Sequence, residues 1–434
     1  MKEIQVGLIG FGTVGTGVVK ILIEKERLLQ SLVGAPLKLK RIADLDLNRD
    51  RGVPIPKGLL VDKAEDIFND PDISIVVELI GGLEPARSFI LKALEKGKHV
   101  ITANKALLAH KGDEIFQKAY DCKLDIGFEA SVCGGIPVIL ALQQGLVANE
   151  IESILGIFNG TSNYILTRMT EEGLPYSEAL KEAQQKGYAE ADPTLDVEGL
   201  DTVHKLSILM HLAYGSPLNP EAIFVEGITR IGALDIAFAR EFGYSIKLLA
   251  ICRKAEGQLE ARVHPTMIPK GHMLDGVQGA YNALLIKGDS VGDVLLYGQG
   301  AGMMPTGSAV VSDLVNMGRN INKGISQRIP RNLSIQGLKE KGLALKPFSG
   351  VIGNYYFRFS ALDRPGVLST IAGILGANKI SVASVIQKGR VVEGPVPIVM
   401  MTHEAQESAV QKAIQEIDRL PVITDRTVIV RVEK

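Results

Sequence analysis

Tryptophan is absent from the 434-residue sequence, and only three cysteines are present. Cys122, Cys133 and Cys252 are too few and too scattered for a disulfide framework or a zinc site. We therefore expect a reducing compartment, the cytoplasm. A net charge is also missing, because 48 basic and 49 acidic residues leave a formal −1. This balance excludes a broad nucleic-acid footprint, so small molecules and other subunits are the expected partners.

The sequence also leads us to expect neither a targeting segment nor a membrane span. The first residues, MKEIQVGLIGFG, enter a strand-like run without the charged and apolar regions of a signal peptide. The longest uncharged stretch, residues 130–149, includes Gly134, Gly135 and Pro137. Such a composition favours a buried strand-turn-helix passage over a transmembrane helix.

Glycine, by contrast, is plentiful. The 46 glycines are about one residue in ten, against a usual value of about 7%. At roughly 150 residues per domain, the length predicts two or three domains. The glycines therefore need an explanation within an ordinary globular chain.

The first part of the chain alternates strand and helix patterns. Apolar β-prone runs cover Ile4–Ile9, Leu37–Ala43, residues 73–80 and His99–Thr102. A helical pattern follows the first run, and another covers residues 85–96. This alternation predicts an α/β fold, a Rossmann-type doubly wound parallel sheet, over residues 1–129.

Two further domains are predicted after it. Residues 130–324 read as an α+β substrate-binding and dimerisation domain, with a helix near 303–320 that we expect to complete the first domain. Residues 325–347 are polar and interrupted by Pro330 and Pro347, as in a linker. Residues 348–434 follow a β-α-β-β-α-β order, which is the ferredoxin-like topology.

A glycine-rich turn, GFGTVG, directly follows the first strand. Gly10, Gly12 and Gly15 satisfy the G-x-G-x-x-G pattern, which lets a backbone approach a pyrophosphate; a purely structural turn is the alternative. The intervening residues that would line the cofactor are Phe11, Thr13 and Val14.

Charged residues after the second strand bear on the choice of dinucleotide. Asp44 lies where a carboxylate binds the adenosine ribose, whereas Arg41, Arg49 and Lys57 are close enough in sequence to meet a 2′-phosphate. A solvated basic edge explains any one of the three equally well. Both NAD and NADP remain open, with NADP favoured.

Carboxylates are concentrated in residues 187–205, GYAEADPTLDVEGLDTVHK. Asp201 and Lys205 are four residues apart on a predicted helix, a spacing that usually marks a surface ion pair worth about 0.2 to 0.5 kcal/mol. Here the helix is largely apolar, so a charged pair on it needs a functional reason.

The sequence resembles homoserine dehydrogenases. The resemblance rests on GFGTVG, on Ala103-Asn104-Lys105, on FNGTSNY at 158–164 and on residues 183–205, in the family's order and spacing. It covers about residues 1–320. The segment LDRPGVL at 362–368 resembles the ACT amino-acid-sensing domain that many bacterial members carry.

The resemblance implies reversible hydride transfer between L-homoserine and L-aspartate 4-semialdehyde, with NAD or NADP, in threonine and methionine biosynthesis. It implies that Lys105 and Lys205 act on the substrate oxygen and that Asp201 positions Lys205. Glu190 and Asp196 would bind the substrate ammonium. The residues implied to shape the substrate pocket are Gly160, Thr161 and Tyr188; those implied to add to the cofactor site are Ala103, Lys105 and Gly302.

The resemblance also implies a cation, an effector and a partner copy. A monovalent cation, sodium, would be bound by the backbone carbonyls of Glu129, Val132, Gly134 and Ile136. Threonine would bind the ACT domain at Asp363 and Gly366, where an ordinary β-α turn is the alternative. Pairing of ACT domains predicts a homodimer or a homotetramer.

Two other functions remain open from the sequence. Cys133 could serve as the nucleophile of a phosphorylating semialdehyde dehydrogenase, although a cysteine among small residues is more often a buried filler. A sensor that docks a nucleotide without turnover is the non-enzymatic alternative.

Overall fold

The structure, a computed structural model, describes residues 3–328, 343–388 and 395–433. Most of the predicted linker, residues 329–342, lies outside the described residues. The chain forms two compact units. The first comprises Met1–Ile154, Val203–Ala222 and Tyr281–Ala344, and the second comprises Leu155–Thr202, Ile223–Ala280 and Leu345–Lys434.

The strands of the described residues are β1 (Ile4–Ile9), β2 (Leu37–Ala43), β3 (Leu60–Val61), β4 (Ile73–Glu78), β5 (His99–Thr102), β6 (Ile126–Gly127), β7 (Ile151–Ile157), β8 (Phe224–Val225), β9 (Tyr244–Ala255), β10 (Gln258–Pro269), β11 (Tyr281–Gly288), β12 (Gly292–Gln299), β13 (Ile352–Leu362), β14 (Val382–Gln387), β15 (Pro395–Thr402), β16 (Ala405–Gln406) and β17 (Ile423–Val432). The helices are α1 (Thr13–Glu24), α2 (Glu26–Val33), α3 (Glu65–Phe68), α4 (Ala86–Glu95), α5 (Lys105–Asp121), α6 (Val138–Leu140), α7 (Gly160–Glu172), α8 (Tyr176–Gln185), α9 (Thr194–Val197), α10 (Leu200–Tyr214), α11 (Ala233–Glu241), α12 (Met303–Asn322), α13 (Val367–Ala377) and α14 (Glu407–Ile417).

The first unit is built on a parallel sheet with the strand order β3-β2-β1-β4-β5-β6. The central strands β1 and β4 are almost entirely buried, which is why their sequences are mostly apolar without regular alternation. This is the strand order of dinucleotide-binding folds. The predicted doubly wound parallel sheet is confirmed.

Helix α12, distant in sequence, packs against this sheet and α1. Its Val310 and Leu314 share one apolar core with Leu8 of β1. Close approach requires a glycine, because a Cβ on Gly17 of α1 would lie 2.2 Å from the carbonyl oxygen of Met303. The apolar face of α12 therefore completes the core of the first unit.

The strand expected within residues 130–149 is wrong. Residues Glu129–Ser131 form a 3₁₀ turn, followed by α6 and a π turn at Ala141–Gly145. The two carboxylate oxygens of Glu129 accept the amide N–H groups of Ile139 and Leu140, each at 2.8 Å, and so anchor this turn to the start of the helical segment. Among the described residues no helix has the length and apolarity that a membrane span requires.

The second unit contains a sheet in the order β9-β10-β17-β13-β15-β14. Strands β13, β14, β15 and β17 with α13 and α14 form the predicted ferredoxin-like domain, whose core includes Phe357 and Phe359. The predicted topology is thus confirmed. Residues 389–394 of this domain lie outside the described residues.

Strand β10 joins the ferredoxin-like domain to the rest of the second unit, and the sequence analysis missed it. Thr266 and Met267 of β10 pair in parallel with Arg431 and Val432 of β17. Pro265 lies in the middle of β10, and a proline there argues against a central strand. The charged residues Glu260 and Arg262 within β10 also make the strand hard to predict from the sequence. In the structure they pair with each other at 3.2 Å.

Candidate active site

The glycine turn lies at the carboxyl end of β1, where ligands bind in parallel α/β sheets. Gly10 has φ +97°, and a Cβ on it would lie 2.8 Å from the backbone of Leu79. A Cβ on Gly15 would lie 2.3 Å from the carbonyl oxygen of Gly10. Around Gly12, in contrast, a Cβ would meet nothing within 4 Å. Two glycines are thus required by the fold, while the third leaves open space above the turn, where a pyrophosphate would lie.

Asp44, at the end of β2, is tied to this turn. Its carboxylate accepts the amide N–H of Phe11 at 2.6 Å and the guanidinium of Arg51 at 3.1 Å. Arg51 also donates to the carbonyl oxygen of Phe11 and lies over the Phe11 ring at 4.7 Å. Sequence reasoning missed Arg51, because no regular pattern links it to Asp44, which lies seven residues earlier. Arg41 instead donates to the carbonyl of Lys40, and Lys57 is exposed.

A buried polar network holds the start of α5, whose first residue is Lys105. Asn104 caps the helix by accepting the amide N–H of Leu107 at 3.1 Å, and its side chain donates to the carbonyl of Gly82 at 2.6 Å. Thr102 donates to Glu78 at 2.7 Å and accepts the amide N–H of Asn104. Burial raises the pKa of Glu78. Glu78 was missed because it ends a strand whose other residues are mostly apolar.

Lys205 belongs to α10, which also carries Asp201. Both side chains are buried, at 7% and 6% exposure. Charged groups this buried are expected to serve a specific purpose. Ala103 and Lys105 follow β5, and Gly302 (φ +122°) precedes α12.

Asn159 hydrogen-bonds two carboxylates of the predicted substrate site. It caps α7 by accepting the amide N–H of Ser162 at 2.8 Å. Its side-chain nitrogen donates both to Asp196 at 2.7 Å and to Asp201 at 3.0 Å. The structure thus brings together two carboxylates from the sequence prediction through a residue that the prediction did not assign. The signal was present, since an Asn before Gly160 is a common N-cap.

Gly160 and Thr161, at the start of α7, are fixed by their neighbours. A Cβ on Gly160 would lie 2.7 Å from the carbonyl oxygen of Ala280, so only glycine fits. The Thr161 hydroxyl donates to the carbonyl of Tyr188 at 2.6 Å. The Tyr188 ring packs against Tyr164, with ring centres 4.9 Å apart. Glu190 is exposed, and its carboxylate accepts no hydrogen bond from the described residues.

Lys247 of β9 is a further buried cation that sequence reasoning missed. Its ammonium donates to the carbonyl of Val277 at 2.5 Å, and Asn163 of α7 donates to the carbonyls of Val277 and Gly279. Burial lowers the pKa of Lys247 to about 8. Together these bonds hold residues 277–280 against the beginning of α7.

The loop at residues 129–136, where a cation site is predicted, contains two backbone carbonyls without hydrogen-bond donors among the described residues. Val132 and Gly134 are buried, and their carbonyl oxygens accept no hydrogen bond from the described residues. Gly134 has φ +48°, and a Cβ on it would lie 2.5 Å from the carbonyl oxygen of Gly300. Burial raises the pKa of the nearby Glu129 to about 7, while backbone N–H donors oppose that rise. Buried carbonyls without donors are costly unless something else binds them.

Family models cover most of the chain. Residues 10–129 match the homoserine dehydrogenase NAD-binding domain, residues 137–315 match homoserine dehydrogenase itself, and residues 355–422 match the ACT domain. The homoserine dehydrogenase of Neisseria gonorrhoeae is 41% identical over 433 residues, which cover 100% of this chain and 99% of the relative.

The chain belongs to the homoserine dehydrogenase family. It is accordingly an NAD(P)-dependent oxidoreductase that interconverts L-homoserine and L-aspartate 4-semialdehyde. The Bacillus subtilis homoserine dehydrogenase is 39% identical, again over 100% of this chain and 99% of the relative.

Solved structures of homoserine dehydrogenases agree with this assignment. That from Thiobacillus denitrificans is 44% identical with a TM-score of 0.93, covering 100% of this chain and 99% of that one. A hyperthermophilic archaeal homoserine dehydrogenase in complex with NADPH is 27% identical with a TM-score of 0.63, covering 75% of this chain and 100% of that one. The chain therefore has the nicotinamide-binding domain of its family and, in addition, an ACT domain.

Proposed function

We propose that Lys105 and Lys205 serve the proton transfer of the homoserine dehydrogenase reaction. A bound nicotinamide cofactor would supply the acceptor for the hydride that leaves the terminal carbon of homoserine. One lysine then accepts the hydroxyl proton, and the other holds the oxygen by donating a hydrogen bond. The burial of Lys205 on a largely apolar helix is the observation that carries this assignment. Asp201, one turn earlier on α10, would position Lys205.

Other residues would hold the substrate. We propose that Asp196, oriented by Asn159, and Glu190 bind the substrate ammonium. Gly160 would let the backbone at the start of α7 approach the substrate, with Thr161 and Tyr188 shaping the pocket beside it. Holding the ammonium fixes the terminal carbon in one orientation, and such positioning contributes much of an enzyme's rate enhancement.

NADP is the cofactor that we favour. The glycine turn with Phe11, Thr13 and Val14, together with Ala103, Lys105 and Gly302, would bind it. Asp44 already accepts three N–H groups, from Phe11, Asp46 and Arg51. Arg51 also offsets its charge, so this carboxylate would repel a 2′-phosphate little, and Arg41 and Lys57 would then add positive charge near that phosphate. Comparing kcat/KM for NADP and NAD tests the preference, and a higher value for NAD would contradict it.

Cys133 is expected to be dispensable for the reaction. It is fully buried, which suits a packing residue rather than a nucleophile. The Cys133→Ser variant and the wild type should both raise NADPH absorbance when homoserine and NADP are mixed with the protein. A loss of several orders of magnitude in the variant would favour a phosphorylating semialdehyde dehydrogenase. No absorbance change in either protein, with NADP or NAD, would favour the sensor.

Sodium binding at residues 129–136 is a further proposal. The buried carbonyls of Val132 and Gly134 support it, since a hard cation prefers oxygen ligands, and the carbonyls of Glu129 and Ile136 would complete the set. Sodium chloride should raise the unfolding temperature above that in choline chloride at equal ionic strength. Each tenfold excess over the Kd adds about 1.4 kcal/mol of stability. Equal unfolding temperatures in the two salts would contradict the site.

We propose that threonine inhibits the enzyme by binding the ACT domain at Asp363 and Gly366. Gly366 has φ +88° at the start of α13, and a Cβ there would meet nothing within 4 Å, so a ligand has room to approach. Gly366→Val should raise the half-inhibitory threonine concentration about tenfold or more, equivalent to at least about 1.4 kcal/mol. Ser369→Ala, in the exposed first turn of α13, is the control. Unaltered inhibition in Gly366→Val, or none in the wild type, would contradict this role.

A homodimer or homotetramer in the cytoplasm completes the proposal. Strand β12 exposes Leu295 and Tyr297, at 40% and 53% exposure, and an exposed apolar strand face marks a surface that pairs with another chain. Light scattering gives the oligomeric state directly, and a monomer at assay concentrations would contradict the predicted homodimer or homotetramer. The three cysteines, all within the described residues, form no disulfide, which fits a reducing compartment.

A further inference from the structure

Residues 277–280, which we call the 277–280 loop, lie between β10 and β11 and form neither helix nor strand. The last of them, Ala280, packs against the start of α7. A Cβ on Gly160 would lie 2.7 Å from the carbonyl oxygen of Ala280, so the loop and the helix start touch through bare backbone. A displacement of the loop would therefore also displace Gly160, the residue proposed to let the backbone approach the substrate.

Side chains of α7 attach the loop to this helix. Asn163 donates to the carbonyl of Val277 at 3.2 Å and to that of Gly279 at 2.9 Å. The Thr167 hydroxyl accepts the amide N–H of Gly279 at 3.1 Å. These uncharged bonds fix the loop relative to α7, but none of them reaches the sheet.

Lys247 provides a link from the sheet. It belongs to β9, which pairs with β10 along its whole length, and its ammonium donates to the carbonyl of Val277 at 2.5 Å. Charge-assisted hydrogen bonds are about twice as strong as neutral ones. The 277–280 loop is therefore held between α7 on one side and a fully paired strand on the other.

Neither packing nor the needs of the backbone explain a lysine at this position. Lys247 is only 5% exposed, and burial lowers its pKa to about 8, so the charge is costly there. The Val277 carbonyl has a donor without it, because Asn163 also donates to that oxygen. An apolar side chain would fill the same space at lower cost. A charged group this buried is expected to have a functional reason.

We propose that Lys247 is a positioning residue for homoserine: by tying the 277–280 loop to β9, it holds the start of α7 where Gly160 and Thr161 meet the substrate. The inference rests on the proposed role of those two residues. Lys247 acts only through the loop. Its loss should therefore weaken the binding of homoserine and leave the hydride and proton transfers largely unchanged.

Steady-state kinetics of Lys247→Met test this role. Methionine is apolar and similar in length, so the buried position stays filled. The KM for homoserine should rise at least about fivefold, since a hydrogen bond from a charged group is typically worth about tenfold or more in affinity. The kcat should stay within about twofold of the wild type, and the KM for NADP should not change. Lys254→Met, which removes an exposed lysine of the same strand, is the matched control.

A second variant and a second measurement report on the loop itself. Thr167→Val keeps the shape of the side chain but removes the hydroxyl that accepts the Gly279 amide. It should raise the homoserine KM about two- to fivefold, the usual worth of a neutral hydrogen bond. Hydrogen exchange of the substrate-free protein, followed by mass spectrometry, should be faster at residues 277–280 in both loop variants. Lys254→Met should exchange like the wild type.

Three results would overturn the proposal. Unchanged exchange in Lys247→Met would mean that Lys247 does not hold the loop. Loss of folding, or a fall in kcat as large as the rise in KM, would make it a general structural residue. Faster exchange in both variants without any change in the homoserine KM would separate the loop from the substrate site. Only this last result also refutes the proposed role of Gly160, so the failure of Lys247 and the failure of the proposed function are distinguishable.

Discussion

Replacing Lys205 with methionine is expected to lower kcat about 10²- to 10⁴-fold, the usual contribution of a positioned acid or base. NADPH binding should stay at the wild-type level. Methionine has a similar length and is apolar, so the buried position on α10 remains filled while the ammonium is lost. Steady-state rates with homoserine and NADP, together with NADPH titration by fluorescence, measure the two quantities.

Lys111→Met provides the matched control for this result. Lys111 is exposed on α5, the helix that begins at Lys105, so its loss removes a lysine from the same unit without touching a buried group. Its kcat should equal that of the wild type. If Lys205→Met instead kept kcat within tenfold of the wild type, the proton would have to pass through another group, and Lys105 would be the first to test.

Replacing Asp235 with alanine should lower the free energy of unfolding by about 3 to 5 kcal/mol, the usual effect of breaking a buried ion pair. Asp235 of α11 is fully buried. Its carboxylate accepts from Arg358 at 2.7 and 3.0 Å, from the Tyr356 hydroxyl at 3.0 Å and from the amide of Gly232 at 2.9 Å. Alanine would leave the Arg358 guanidinium without its carboxylate in a largely buried position. Urea unfolding followed by circular dichroism measures the loss.

Two further variants separate this effect from general damage. Asp425→Ala removes an exposed carboxylate of β17 and should change stability by less than about 1 kcal/mol. Asp235→Ala combined with Arg358→Met should recover part of the loss, because the unpaired charge is gone. A double variant no more stable than Asp235→Ala alone would mean that the ion pair is not the cause.

The sequence predicts those parts of the fold that repeat locally. Runs such as Ile73–Glu78 are mostly apolar because both faces of the strand are buried, and the glycine turn marks where the first strand ends. Strand β10 could not be predicted, because its Pro265 and its paired charges are compatible with a strand only beside β9 and β17. No local sequence pattern predicts that β9 and β17 will flank this segment.

The same limit applies to the candidate site. Lys205 and Asp201 could be named because a charged pair on a largely apolar helix is unusual in the sequence itself. Asn159 and Arg51 could not be assigned a role, since their importance lies in bonds to Asp196 and Asp44. The carbonyl oxygens of Val132 and Gly134, which accept no hydrogen bond from the described residues, are backbone features that no side-chain pattern reveals.

The parallel pairing of β10 with β17 has a consequence for how the second unit folds. Thr266 and Arg431 are adjacent strand partners although most of the ACT domain lies between them in the sequence. Contacts between residues so distant in sequence form slowly, because the entropy of closing a long loop is lost before the strand pairing stabilises the fold. Until β17 arrives, one side of β10 presents unpaired backbone groups that can associate with other chains. Refolding from urea should therefore give more aggregation at higher protein concentration, and the late step should be the docking of β17.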